Sequence, residues 1–292
     1  MIIVAYARHQ SFYLRDKWIS KGLRAIINEP KFFFLSDGFE KIGLGKNMVQ
    51  SLRFWLSAMN LIVEGKDKTH DLTPLGHLIY NKDRLLRENN TISILHYHLV
   101  RNKEDLATIF EWYYNTYIEA ATQRESLLKS FTTFVKNYEG KEVSPKSLKR
   151  DVDCLVQLYT KEADETDPEN FIFSPFSRLN LLKEIPSEDG KEIITKVAPN
   201  INDIGLTSLY YALISYSFEN DTEMISVDEI LNEKYLWGKL YNLTRNRVIE
   251  ALNKLTNHDV FPIEYIRTNN LDNVRVPSIS PMEYLKYEME RM

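Results

Sequence analysis

Between Lys41 and Tyr80 the chain reads KIGLGKNMVQSLRFWLSAMNLIVEGKDKTHDLTPLGHLIY, and its periodicity changes twice within that stretch. Met48, Leu52, Leu56 and Met59 recur at helical spacing, while Lys46, Asn47, Gln50, Arg53 and Ser57 fall on other faces. This predicts an amphipathic helix with a polar side. Gly43 and Gly45 just before it suit a tight turn between two helices, because glycine enters left-handed backbone conformations at little steric cost. After the helix come a short apolar run (Leu61, Ile62, Val63), a charged tip from Glu64 to Lys68, and a return through Asp71 to Thr73. Helix, strand, basic tip and strand is the order of a winged helix-turn-helix, which makes DNA the first partner to consider.

A formal charge of −4 argues against a nucleic-acid binder only as an average. Residues 1–70 hold eleven Lys and Arg against six Asp and Glu, a balance of +5; residues 161–235 hold six against sixteen, a balance of −10. Phosphate affinity comes from local basic clusters, so the first segment suits DNA while the acidic one suits a basic partner protein. The 292 residues, 43% of them apolar, allow two or three units with a proper core. Ten glycines, ten prolines and long charged periodic runs favour helix. No apolar run reaches the roughly 18 residues of a membrane span, and the opening IIVAYA is too short for a signal-peptide core. A cytoplasmic protein without a membrane partner is expected. The single cysteine, Cys154, excludes an internal disulfide and any multi-cysteine zinc site.

Elsewhere along the chain, residues 11–28 place Phe12, Trp18, Leu23, Ile26 and Ile27 at broadly helical spacing, predicting a first helix. Ser36 or Asp37 is placed to cap a short helix leading to Gly43. Thr73 and Pro74 suit the cap and first position of another helix; the L-T-x-x-G step is common in winged-helix regulators. From Asn89 to Lys136 the pattern is helical, with Phe110, Trp112, Tyr113, Tyr114 and Tyr117 clustered. Without interleaved Lys or Arg, these aromatics read as a packing core rather than a base-stacking platform. Residues 147–160 predict a further helix, and the acidic 161–171 a linker. Near the C-terminus, Ser226 to Glu229 has capping-box spacing, and a helix begins at Arg245. Val260 to Thr268 and Leu271 to Val276 then alternate around Asn269 and Asn270, a hairpin signal.

Signals for catalysis are sparse. His96 and His98 are two apart and point in different directions on a helix, as do Asp151 and Asp153, although Asp151 with Cys154 or Asp153 with Gln157 can share a face. Such carboxylates can hold a magnesium ion for phosphodiester hydrolysis, but exposed helix charges are the commoner reading. Cys154 has no identifiable His partner and reads as a structural thiol. No phosphate-cradling glycine loop, nucleophile elbow or HExxH occurs.

The segments HQSFYLRDKWISKG, IGLGKNMVQSLRFWLSAMNLI, LTPLGHLIY, NNTISILHYHLV and SLKRDVDCLVQLY, in that order, resemble the SspB family, first catalogued as domain-of-unknown-function family 4007. The resemblance covers roughly residues 9–160 and continues more weakly through FSPFSRLNLL to the C-terminus. It implies a bacterial DNA phosphorothioation system, encoded beside an ATPase and a sulfotransfer enzyme similar to phosphoadenosine phosphosulfate reductases. The implied role is DNA binding and strand nicking that assists single-strand sulfur modification and phage defence, with magnesium or manganese if the protein nicks. It also implies that Gly43 to Val49 supplies helix-turn-helix geometry and DNA contact. Relatives tend to carry a cysteine before the proline and a glycine later, where this chain has Ser174 and Asn180.

The expectation is therefore a mainly α protein with winged helix-turn-helix units at both ends, joined by a helical middle. Its parts are residues 1–88 (winged helix), 89–160 (helical), 161–222 (acidic linker and helices) and 223–292 (a second winged helix). The DNA-binding candidates are Lys46, Asn47, Gln50, Arg53, Lys66 and Lys68, with Arg245, Asn246, Arg247 and Arg267 adding contacts. A winged helix also serves as a protein-binding module, with Lys46 and Arg53 merely solvated. Two other readings stay open: a non-catalytic DNA-binding adaptor that positions the ATPase and sulfotransfer proteins, and a transcriptional regulator. No catalytic residue is assigned.

Overall fold

The computed structural model describes residues 6–102, 107–140, 142–163, 172–187, 190–268 and 271–291. Residues 6–17 form an irregular strap rather than the start of the first helix. Gln10, Ser11 and Lys17 take positive φ, which the right-handed helix forbids, and the strap bonds to distant parts of the chain. The Ala7 N–H donates to Asp151, and the Asp16 N–H to the Phe173 carbonyl. Helix α1 (Trp18–Asn28) follows, then a 3-10 turn at Phe32–Phe34, α2 (Gly38–Lys41) and α3 (Lys46–Ala58).

Gly43 does adopt the left-handed conformation, at φ 63°, whereas Gly45 caps α3 with an ordinary negative φ. Asp37 precedes α2 but makes no side-chain cap; it pairs with Lys41 instead. The antiparallel hairpin of β1 (Ile62–Glu64) and β2 (His70–Leu72) pairs Ile62 with Leu72 and Glu64 with His70. Thr73 then caps α4 (Pro74–Asp83), its hydroxyl accepting from the Gly76 N–H with Pro74 in the first turn.

Next come α5 (Asn89–Val100), α6 (Thr108–Asn115), β3 (Ala121–Gln123), α7 (Arg124–Glu139) and α8 (Pro145–Thr160). The aromatic cluster packs as a core: Phe110, Trp112, Tyr113 and Tyr114 are all buried. A 3-10 turn at Pro175–Leu179 leads into β4 (Leu182–Pro186) and β5 (Glu192–Lys196), then α9 (Ile201–Ile204) and α10 (Leu206–Asn220).

Here the structure departs from an all-helical middle, because β5 pairs with both β3 and β4 in a sheet of order β3-β5-β4. Strand β5 carries Ile193, Ile194 and Thr195, whose β-branched side chains fit a pleated surface, and Ile194 turns into the core beside Leu182. The acidic composition around them conceals this alternation. Most of the acidic segment 161–171 lies outside the described residues.

The last part comprises β6 (Met224–Ser226), α11 (Val227–Asn232), α12 (Trp237–Tyr241), α13 (Arg245–Leu255), β7 (Glu264–Thr268), β8 (Leu271–Arg275) and α14 (Pro281–Glu290). Ser226 and Glu229 complete the capping box expected of them. The hairpin β7–β8 gains β6 as a third strand in the order β6-β8-β7, while the turn at Asn269 and Asn270 lies outside the described residues. The protein is thus mainly helical with small antiparallel sheets.

Close backbone approach explains one glycine. A Cβ at Gly76 would lie 2.1 Å from the Leu61 carbonyl oxygen, at the junction between α3 and the hairpin. Gly76→Ala is expected to cost about 1–3 kcal/mol through overpacking. Urea unfolding measures it, and a cost below about 0.5 kcal/mol, typical of a neutral surface change, would show that α4 is not pressed against this junction.

Candidate nucleic-acid interface

Helix α3 divides sharply into two faces. Leu52, Trp55, Leu56 and Ala58 are fully buried, whereas Lys46, Asn47 and Gln50 are exposed and Arg53 and Ser57 half-buried. The buried face is anchored by the strap: the Phe12 carbonyl accepts from Trp55 Nε1 at 3.0 Å and from Ser51 Oγ at 3.2 Å. Lys66 and Lys68 are exposed on the hairpin tip, and Lys68 takes a positive φ.

Arg53 ties the helix to the hairpin. Its Nη2 donates to Glu64 Oε2 at 2.6 Å, and its guanidinium lies 4.6 Å from the centre of the Phe34 ring. Phe34 in turn stacks on His70 of β2, with Phe33 edge-on to the same imidazole. Burial, and then Arg53, lower the His70 pKa. Arg53 is therefore already partnered, which spacing on a helix does not reveal.

Gln50, Arg53 and Ser57 form one wall of a cleft of about 820 Å³. Val63 and Glu64 of β1, Tyr97, His98 and Arg101 at the end of α5, and Tyr211 of α10 line the same cleft. Arg101 donates to the Tyr97 hydroxyl and to Glu219, and its guanidinium stands over the Tyr97 and Tyr235 rings. Its Nε is buried with no acceptor. His98 Nε2 is 2.9 Å from the Tyr211 hydroxyl, and burial and Arg101 hold the imidazole below its ordinary pKa range. The α5 and α10 residues of this cleft lie far from α3 in the sequence; no local spacing brings them together.

The C-terminal candidates are largely engaged with neighbouring groups. Arg245 bridges Asp228 at 2.6 Å and Asp272 at 3.4 Å. Arg247 pairs with Glu250 at 2.8 Å and donates to Asn200 at 2.7 Å. Arg267 is exposed with its guanidinium over the Tyr265 ring, and Asn246 is exposed at the start of α13. None of these four lines the cleft.

The residues weighed for catalysis have structural partners. Asp151 is buried, its carboxylate accepting from the Ala7 N–H and lying 2.8 Å from His9 Nε2. Asp153 is held by Arg124 and Lys149. Burial, reinforced by Asp151, pushes the Cys154 thiol well above its ordinary pKa. His96 is fully enclosed between the Tyr159 hydroxyl and the Leu240 carbonyl. The two aspartates do not fit a divalent ion, since their oxygens already face donors and cations. Among the described residues, no group of three His, Cys, Asp or Glu side chains is arranged to hold one. The sequence departures at Ser174 and Asn180 have local explanations. Ser174 Oγ accepts from the Phe176 N–H to start the 3-10 turn. Asn180 ends that turn at φ 51° and ψ 38°, a left-handed conformation that glycine takes freely and asparagine tolerates.

The model of a protein family described as "Protein of unknown function (DUF4007)" matches residues 6–288. The chain belongs to this DUF4007 family. Its fold is shared by a magnesium ion-bound SspB crystal structure, at TM-score 0.84 and 19% identity over 98% of this chain and 86% of that one. A second SspB crystal structure superposes with the same score and coverage at 20% identity. The SspB-like family read from the sequence motifs is thereby shown. No curated protein matches this DUF4007 chain. No helix among its described residues is long and apolar enough to cross a membrane.

His96 makes stability depend on pH. Burial, partly offset by the Leu240 carbonyl, lowers its pKa from 6.5 to about 3. The unfolded chain binds the proton first, so this contribution is full above about pH 6.5 and declines as pH falls from there towards 3. The slope approaches about 1.4 kcal/mol per pH unit for one histidine. Urea unfolding across this range should show a shallower acid loss in His96→Gln, and an unchanged slope would rule out this histidine as a source.

Proposed function

We propose that this protein binds DNA through the N-terminal turn of α3 and the β1–β2 hairpin, acting as a winged helix-turn-helix. In this reading it is the DNA-engaging component of a phosphorothioation and phage-defence system. The observation that carries it is the exposed series Lys46, Asn47 and Gln50 on a helix followed directly by a hairpin whose tip exposes Lys66 and Lys68. A helix of this kind presents side chains to base edges while the wing reaches flanking phosphates. The positive balance of residues 1–70 supports the same polarity. In the C-terminal part, three helices and a hairpin recur in the same order. Arg245 and Arg247 already face carboxylates there, so this part contributes less to phosphate binding.

The family resemblance supplies the system: an ATPase and a sulfotransfer protein are the partners it implies, with this chain presenting the DNA. Strand nicking is the second reading, and the magnesium ion bound by one of the similar SspB structures favours testing it. Asp151 and Asp153 take no part in that reading, because their carboxylates are bonded to Ala7 and His9 and to Arg124 and Lys149.

Gel shifts at several salt concentrations test DNA binding. Replacing Lys46, Lys66 and Lys68 together by alanine should reduce the slope of log affinity against log salt by about 2–3, at roughly 0.9 for each phosphate no longer neutralised. An unchanged slope would remove this surface from the interface. Incubation of supercoiled plasmid with and without magnesium or manganese tests nicking. Open circles that require the metal and recur in an independent preparation support it, and their absence leaves a DNA-binding adaptor.

A further inference from the structure

Beyond Gln50 the polar face of α3 does not project into solvent; it forms a wall. A helix reads the major groove by entering a channel about 12 Å wide and 8.5 Å deep, which the first turn at Lys46 and Asn47 is free to do. Gln50, Arg53 and Ser57 instead line, together with Tyr97, Arg101 and Tyr211, a cleft of about 820 Å³. A space of that size suits one small ligand, since such sites run to about 300–1,000 Å³. It is too small for a duplex. Deeper in the cleft than the exposed Gln50, the space beside Arg53 and Ser57 fits a single nucleotide out of the stack of DNA bound at the start of α3.

The chemistry of the walls fits such a guest. Arg53 is one-third exposed and Glu64 half-exposed, so their ion pair is a weak surface contact that a phosphate can replace. Arg101 lines the same cleft, its side chain only 12% exposed, with tyrosine rings against its guanidinium and a buried Nε that lacks an acceptor. A buried donor without a partner is unusual in a folded protein. The cationic guanidinium and the parts of Tyr97 and Tyr211 that reach the cleft give its lining a mixed cationic and aromatic character that suits a base. Gln50, Ser57 and His98 supply donors and acceptors at the cleft for base edges.

We propose that the cleft between α3 and the α5–α10 wall receives one unpaired nucleotide of the DNA strand lying on α3. Its phosphate replaces Glu64 on Arg53, and its base lies against Arg101 and the tyrosines. This rests on the DNA-binding reading above, and the experiment keeps the two separable. Duplexes with 2-aminopurine walked through the bound site are titrated with the full chain while gel shifts follow binding independently. A several-fold fluorescence rise at one position is expected, and it should be lost in Ser57→Trp, which fills the cleft from its half-buried wall, while the duplex gel shift persists. Folding of this variant is checked by circular dichroism; if it is unfolded, Ser57→Leu, a smaller apolar side chain at the same position, takes its place with the same expectation.

Duplex binding without any fluorescence rise, or a rise that survives in the cleft variant, overturns the nucleotide site and leaves the DNA reading intact. If the duplex does not bind at all, the DNA reading fails and a fluorescein-labelled single strand tests the cleft alone. Binding that the cleft variant abolishes supports the site, and no binding overturns it. Saturable binding of dAMP together with no response to either DNA assigns the cleft to a free nucleotide and overturns strand capture.

Discussion

The carbonyl oxygen of Phe12 is the point on which the rest of the architecture turns. It accepts from Trp55 and Ser51 of α3, and the Cys154 thiol of α8 points at it from 3.8 Å. Three residues earlier, His9 contacts Asp151 of α8 while its ring stacks near Trp55. One extended strap thus satisfies its backbone against two helices that are far apart in the chain. Removing a partner from such a buried network leaves desolvated groups unpaired, which is costlier than the bond itself is favourable. The apolar face of α3 is held against the strap, which leaves Lys46, Asn47 and Gln50 exposed and lets Arg53 and Ser57 line the cleft.

Electrostatics distinguish the two ends of the molecule more than their element order does. In the N-terminal part, Lys46, Lys66 and Lys68 stand exposed, and the ion pair of Arg53 is half open to water. In the C-terminal part, Arg245 lies between two aspartates and Arg247 beside Glu250. A guanidinium facing a carboxylate offers little net charge to a phosphate, so similar helix-and-hairpin order does not give similar ligands. Arg101 is a third case, a cation that lines the cleft while held by tyrosines and a glutamate.

Much of the first unit was legible from local pattern alone. The period of α3, the left-handed Gly43, the Thr73-Pro74 start of α4 and the two strands around the charged tip follow from neighbours within a few residues of one another. The sheet of β3, β4 and β5 was not legible. Its strands are short, one of them lies far earlier in the chain than the other two, and Glu184, Glu192 and Lys196 share a face with the buried Leu182 and Ile194, which masks the alternation. The strap was misread for a related reason. Its apolar spacing resembles a helix, but its backbone groups are bonded to α8 and to Phe173, which no local propensity encodes.

By itself the sequence determined the family, the helix-then-hairpin unit and the positive N-terminal segment, because motifs, periodicity and charge are properties of residues close along the chain. Only the tertiary structure decided which of the polar residues face one another. It paired Arg53 with Glu64, withdrew Arg245 and Arg247 into carboxylate contacts, closed Asp151 onto His9, and brought Arg101 and two tyrosines to the same cleft as α3. Each of these depends on packing between segments distant in sequence, where burial and the satisfaction of polar groups, rather than local conformational preference, select the partner.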